Sequence, residues 1–207
     1  MSFPESRAST DARGAASAPD AIAGAIDAYR DHADLAVLHA RLAAVMDRST
    51  PEELAAAIEP FRDVPEAAGF VYEKIVAERP TDARALVILA NSYWLVGRGP
   101  DVVGELATRA IAADPANRGA WHLWALTESD PRQRTERWRQ VVARFPTDDL
   151  ARANLADNAA SLAGAEHDYD ALDLALHTYE DLLERAHHPQ QRAALQTAIT
   201  TLKGWKL

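Results

Sequence analysis

Residues 68–80 read Ala-Gly-Phe-Val-Tyr-Glu-Lys-Ile-Val-Ala-Glu-Arg-Pro, and residues 86–93 read Leu-Val-Ile-Leu-Ala-Asn-Ser-Tyr. Ala68, Tyr72 and Ile75 in the first run, and Leu86, Leu89, Ala90 and Tyr93 in the second, recur at steps of three and four, the spacing that aligns side chains along one face of an α-helix. Pro80 separates the two runs and ends the first helix, because proline disfavours the helical conformation in the residue before it. In Leu89-Ala90 a bulky side chain stands beside a small one, which lets a neighbouring helix come close.

The same arrangement recurs down the chain. Pro80, Pro115 and Pro146 lie 35 and 31 residues apart, each in a turn that contains an acidic residue. Nine and ten residues after them stand Leu89-Ala90, Trp124-Ala125 and Leu155-Ala156. Eight residues before them stand Tyr72, Ala107 and Trp138, and five before stand Ile75, Ala110 and Val141. A knob beside an alanine, repeated at this interval, stacks helical hairpins so that one core runs through the array.

Leu86, Leu89, Ala90 and Tyr93 on one helix, with Ala68, Tyr72 and Pro80 on the preceding one, resemble the tetratricopeptide repeat signature in a divergent, bacterial-type form. The resemblance covers residues 66–186 and implies an all-α, right-handed superhelix of stacked helical hairpins. The chain departs from the pattern where Glu128 and Ala159 stand at the place of Tyr93. The 31-residue interval predicts a shortened first helix before Asp130-Pro131, followed by a long helix over 131–145.

Outward from these repeats, residues 1–18 are rich in Ser, Ala, Gly and Arg and read as a mobile N-terminal tail. Residues 19–64 read as N-terminal helices packing on the array. Ile22, Ile26 and Tyr29, continued by Leu35, Leu38, Leu42 and Val45, predict one bent or two abutting helices. Thr50-Pro51-Glu52-Glu53 combines a capping hydroxyl, a proline at the first helical position and a glutamate able to bond back, and starts a helix buried through Leu54, Ile58 and Phe61. The repeats occupy 65–186, with Leu172, Ala175, Leu176, Tyr179, Leu182 and Leu183 striping the helix from about Asp168 to Arg185. Residues 187–207 supply a capping helix opened by Pro189, with Leu195, Ile199, Leu202 and Trp205 as its apolar side. About seven to nine helices are expected in all, and no sheet.

Composition narrows the function. The 207 residues carry a net charge of -9 and a pI near 5.2, against a general nucleic-acid surface, which needs a basic stripe to displace counterions. Without cysteine there is no disulfide, thiolate nucleophile or cysteine-based zinc site. No stretch has about 18 consecutive apolar residues and the start lacks an apolar signal core, so a soluble, cytoplasmic protein without a membrane partner is expected. Gly97-Arg98-Gly99-Pro100 lacks the preceding strand and the Lys-Ser/Thr of a phosphate loop and reads as a hairpin turn. Asp173, His177 and Asp181 share a helix face but span about 12 Å, too far for one ion to touch all three. No metal, cofactor or catalytic residue is expected, and the chain reads as a non-enzyme.

What remains is a surface. In the family, first helices of successive repeats line a concave groove that holds a peptide. The resemblance assigns that groove to Arg84, Val87, Asn91 and Trp94 on one helix, His122 and Leu126 on the next, and Arg152, Asn154 and Asn158 on the third, with Arg84, Asn91, Trp94, His122, Asn154 and Asn158 as the peptide-binding set. Asparagine both donates and accepts, and arginine clamps carboxylates. Trp94 follows the packing residue Tyr93 and so cannot share its direction on a helix. Val87 stands where a lysine grips a terminal carboxylate in the family's chaperone-tail receptors, so that ligand is not expected. The reading is an interaction scaffold for a protein or peptide partner; the alternative is a structural or regulatory subunit acting through self-association as a homodimer, or within a larger assembly.

Overall fold

A computed structural model describes residues 16–205 as a stack of α-helices without strands among those residues. Helix α1 spans Ala18–His32, α2 Leu35–Met46, α3 Pro51–Ile58, α4 Pro65–Glu78, α5 Ala83–Leu95 and α6 Pro100–Ala113. Helix α7 spans Arg118–Leu126, α8 Pro131–Arg144, α9 Asp149–Glu166, α10 Tyr169–Arg185 and α11 Pro189–Lys203. A 3-10 turn, Glu59–Phe61, follows α3. Eleven α-helices among the described residues exceed the seven to nine expected. Part of the excess lies at the start, where Ala33 adopts the left-handed conformation (φ 54°) and divides the first apolar run into α1 and α2. The expected tail, residues 1–18, lies outside the described residues as far as residue 15. Its last position, Ala18, is already helical, capped by Ser17.

Local chemistry sets the boundaries. Asp82, Asn117 and Asp148 stand two residues after the repeat prolines and accept hydrogen bonds from Ala85, Ala120 and Ala151 N–H, opening α5, α7 and α9. Helices α4, α6 and α8 open instead on Pro65, Pro100 and Pro131, whose missing N–H is harmless in the first turn. Thr50 and Glu53 form the reciprocal capping box at α3. Two arginines repeat a staple: Arg109 donates to Pro80 O at 3.3 Å and Arg144 to Pro115 O at 3.4 Å, each across 29 residues.

Consecutive helices pack on one another except at α2 and α3, where α1 packs on α3 and α2 on α4 instead; α5 also touches α7. One apolar core runs from Ile22 to Leu123 and includes Leu54, Tyr72, Ile75, Leu86, Leu89, Ala90 and Ala107. A second cluster joins Ala125, Trp138, Val141, Ala151 and Leu155, and a third joins Ala159, Leu162, Leu172, Ala175 and Leu202. Helix α7 has nine residues, the shortening that the 31-residue interval predicts. Trp205 does not enter the core: it is 37% exposed and rests against Gly164, where an added Cβ would sit 3.2 Å from the indole.

Candidate functional site

Helix α5 sorts its two adjacent aromatics to opposite uses. The Tyr93 hydroxyl turns to α4 and donates to Glu73 at 2.7 Å; burial, with that carboxylate behind it, pushes the hydroxyl pKa up to about 12. Trp94 cannot follow it on a helix, and stays 37% exposed beside the exposed Leu95 and, one turn earlier, Asn91. Alongside, the backbone of α7 comes close enough that a Cβ on Gly119 would lie 3.2 Å from Val87 Cγ1. Glycine permits this approach of α7 to α5. Leu126 of α7, one 35-residue interval after Asn91, is also 37% exposed. Asn91, Trp94, Leu95 and Leu126 thus bring an amide and three large apolar side chains to solvent on two touching helices.

Arg84 stands at the start of the same helix, exposed and paired with Glu59 at 2.9 Å. It edges a cavity of about 350 Å³ between α3 and α5, floored by Ala55, Ala56 and Tyr72.

The other sequence-predicted residues are engaged within the fold. His122 Nε2 lies 2.7 Å from Asp148 Oδ2, an ionised carboxylate that can only accept, and its ring meets Trp138 edge-on at 5.3 Å. Burial pushes the Asp148 carboxyl up, but the Ala151 N–H, His122 and Arg118 outweigh it and hold it below the usual carboxylate range. Asn158 accepts from Arg134 Nε of α8 at 2.7 Å and donates to Asn154 O; Asn154 donates to Leu150 O within its own helix. Arg152 is buried, donating to Pro146 O and to Asp181 at 2.8 Å. His122, Asn158 and Arg152 thus fix α9 against α7, α8 and α10 in turn.

Counting from Leu155-Ala156 as from Leu89-Ala90 gives different positions on α9: Leu150 for Arg84, Asp157 for Asn91 and Ser161 for Leu95. Leu150 is 63% exposed. Asp157 and Ser161, with Tyr179 and Trp205, line a cavity of about 410 Å³, and Tyr179 donates to Asp157. The sequence carries this signal in the offset from the bulky-small pair, which Arg152, Asn154 and Asn158 do not share. On α10, His177 Nδ1 donates to Asp173 O, Asp181 holds Arg152 and Arg185, and Glu180 holds Lys203. Among the described residues no group of three His, Asp or Glu side chains is arranged to hold a metal ion, and no helix is long and apolar enough to cross a membrane.

No protein-family model matches the sequence, and no curated protein does so either. Solved structures do. The crystal structure of MamA aligns with a TM-score of 0.59 at 17% identity, over 78% of this chain and 96% of that one. A thermophilic TPR protein of Thermus thermophilus aligns with a TM-score of 0.53 at 16% identity, over 90% and 98% of the two chains. Pseudomonas aeruginosa pilF aligns with a TM-score of 0.50 at 16% identity, over 91% and 93%. The fold is that of the tetratricopeptide-type helical superhelix, with divergent repeats.

Proposed function

We propose that this tetratricopeptide-type array is a non-catalytic scaffold that binds a peptide or protein segment along α5 and α7. The observation that carries the reading is the exposure of Trp94 between Asn91 and Leu95 with Leu126 on the touching helix, while the adjacent Tyr93 is engaged with Glu73. Tryptophan supplies contact area at little loss of conformational freedom, and the asparagine amide can bond a peptide backbone in both senses. Arg84 adds a guanidinium at the N-terminal end of the same helix for a partner carboxylate. His122 and Asn158 contribute by holding α9 in place, while Asn154 bonds within its own helix.

The test is affinity capture from the source cell's lysate, with mass spectrometry of what is retained, using the wild type and Asn91→Ala/Trp94→Ala. The double variant removes only exposed groups, so its helicity and melting temperature stay near wild type while specific capture is lost. Capture that survives in the folded double variant would place the partner elsewhere.

A further inference from the structure

The turn Gly97-Arg98-Gly99 plays no part in the face just described, yet it delivers a charge to a defined place. Both glycines have positive φ, 75° and 92°, a backbone that side-chain-bearing residues rarely adopt. Between them, Arg98 lays its guanidinium over the Tyr93 ring, 4.8 Å from the centroid, and points Nη2 at Glu73 Oε1 3.5 Å away. That oxygen already accepts the Tyr93 hydroxyl. Arg98 thereby forms one wall of a cavity of about 360 Å³ lined by α2, α4 and the end of α5. The rest of the cavity has the same chemistry. His39 stacks on Phe70 with centroids 4.2 Å apart, Leu35 and Val96 add apolar wall, and Glu66 brings a second carboxylate.

Flat aromatic faces and carboxylates around one opening form a cation-recognising set, and a guanidinium suits it better than an ammonium because it stacks and bonds a carboxylate in the same plane. Of these two carboxylates Glu73 faces the Arg98 guanidinium, while Glu66 lines the same cavity and accepts from Tyr29 of α1. Arg98 holds its place by a long ion pair with its side chain 58% exposed. Such an exposed pair is weakly held. We propose that this cavity receives an arginine side chain from a basic segment of a partner protein, with Arg98 as the internal placeholder that the incoming guanidinium displaces. The charge of -9 on the chain draws such a segment in. The site contains none of Asn91, Trp94 and Leu126 and stands or fails apart from the face they form.

The probe is a short uncharged peptide with one central arginine, titrated by NMR or calorimetry, beside its citrulline counterpart, which keeps the shape without the charge. Arg98→Ala vacates the placeholder and is expected to bind the arginine peptide about fivefold more tightly than wild type, with no binding of the citrulline peptide. Glu73→Gln in the Arg98→Ala background abolishes that gain. Because Glu73 also holds Tyr93, Glu66→Gln serves as the second variant; it keeps an acceptor for Tyr29 of α1, leaves the melting temperature near wild type and weakens binding. Equal affinity of wild type and Arg98→Ala, or equal binding of the citrulline peptide, overturns the proposal.

Discussion

Helices α1 to α7 close over a single apolar core from Ile22 to Leu123, whereas α8 to α11 are joined by two small apolar clusters with polar side chains bridging them. The difference begins in composition. Helix α4 buries Ala67, Ala68, Val71, Tyr72, Ile75 and Val76, while α8, with arginines at 132, 134, 137, 139 and 144, buries only Thr135, Trp138 and Val141. A helix with so narrow an apolar stripe must attach through its polar groups. Arg134 bonds Asn158, Arg137 lies 4.6 Å over Trp124 and pairs with Glu128 at 2.6 Å, and Arg132 pairs with Glu166 and Asp168. The same superhelix is therefore held in its first half by burial, which is nondirectional and insensitive to salt, and in its second by geometry and charge, which are neither.

The comparison breaks most visibly at Leu89. Leu89→Asp puts an unpaired charge at a site 4% exposed in the shared core, and is expected to destabilise the protein by about 3–5 kcal/mol. Thermal or urea unfolding measures it. Native-state hydrogen exchange adds the discriminating reading, with protection lost throughout α1 to α7 together. A local loss confined to α5 would show that the first half is not one cooperative unit.

The buried repeat positions and the helix starts were the legible part. Leu89-Ala90, Tyr72 and Ile75 announce themselves by spacing and type, and each is buried where the repeat interval places it. The Thr50 box and the prolines opening α4, α6, α8 and α11 follow from backbone chemistry confined to a few residues. The shortened α7 was readable from the 31-residue interval. What escaped depended on partners distant in sequence. Asn154 and Asn158 look like binding amides until Arg134, 24 residues before Asn158, takes one of them. Glu73, Tyr93 and Arg98 meet across two helices and a turn, with no local pattern to join them. Between the two readings of residues 22–45, one bent helix or two abutting ones, the structure takes the second: Ala33 adopts φ 54° with no glycine or asparagine to mark it, and Asp34 caps α2.

The second half is probed at Arg152, whose side chain is 8% exposed and holds Asp149, Asp181 and the Pro146 carbonyl together. Arg152→Ala is expected to cost about 2–3 kcal/mol, less than breaking a fully buried pair because Asp181 is 42% exposed and regains water. Exchange protection should fall in α9 and α10 before it falls in α4 and α5. A uniform fall would make the two halves one unit and remove the contrast.

Acid sharpens the contrast further. Asp148 caps α9 and accepts from His122, and its folded pKa is depressed, so its stabilisation is present above the unfolded value of about 3.9 and is lost as pH falls through the lower folded value. Asp148→Asn keeps a competent cap but removes the charge. It is expected to cost about 1–2 kcal/mol at neutral pH and progressively less below about pH 4. Unfolding curves of both proteins from pH 7 to pH 3 measure this, and a constant difference across that range would show that the charge on Asp148 contributes nothing.

The smallest expected effect sets the scale for the rest, because it uses the same chemistry as Arg152 in the other half. Arg84 pairs with Glu59 at 2.9 Å, as short as many buried pairs, but its side chain is 70% exposed and Glu59 is 39% exposed. Water screens both charges, and ordering a long side chain offsets most of what attraction remains, so Arg84→Ala is expected to change stability by no more than about 0.5 kcal/mol, and by less in 0.5 M salt. Arg152→Ala, measured beside it, should keep most of its effect in salt, since its guanidinium lies out of reach of counterions. If the two substitutions prove equal in size and in salt dependence, ion pairing is no more important to α9 and α10 than to α3 and α5. Should Arg84→Ala instead leave stability unchanged while weakening capture of the partner, the Arg84 guanidinium serves the binding face and the fold does without it.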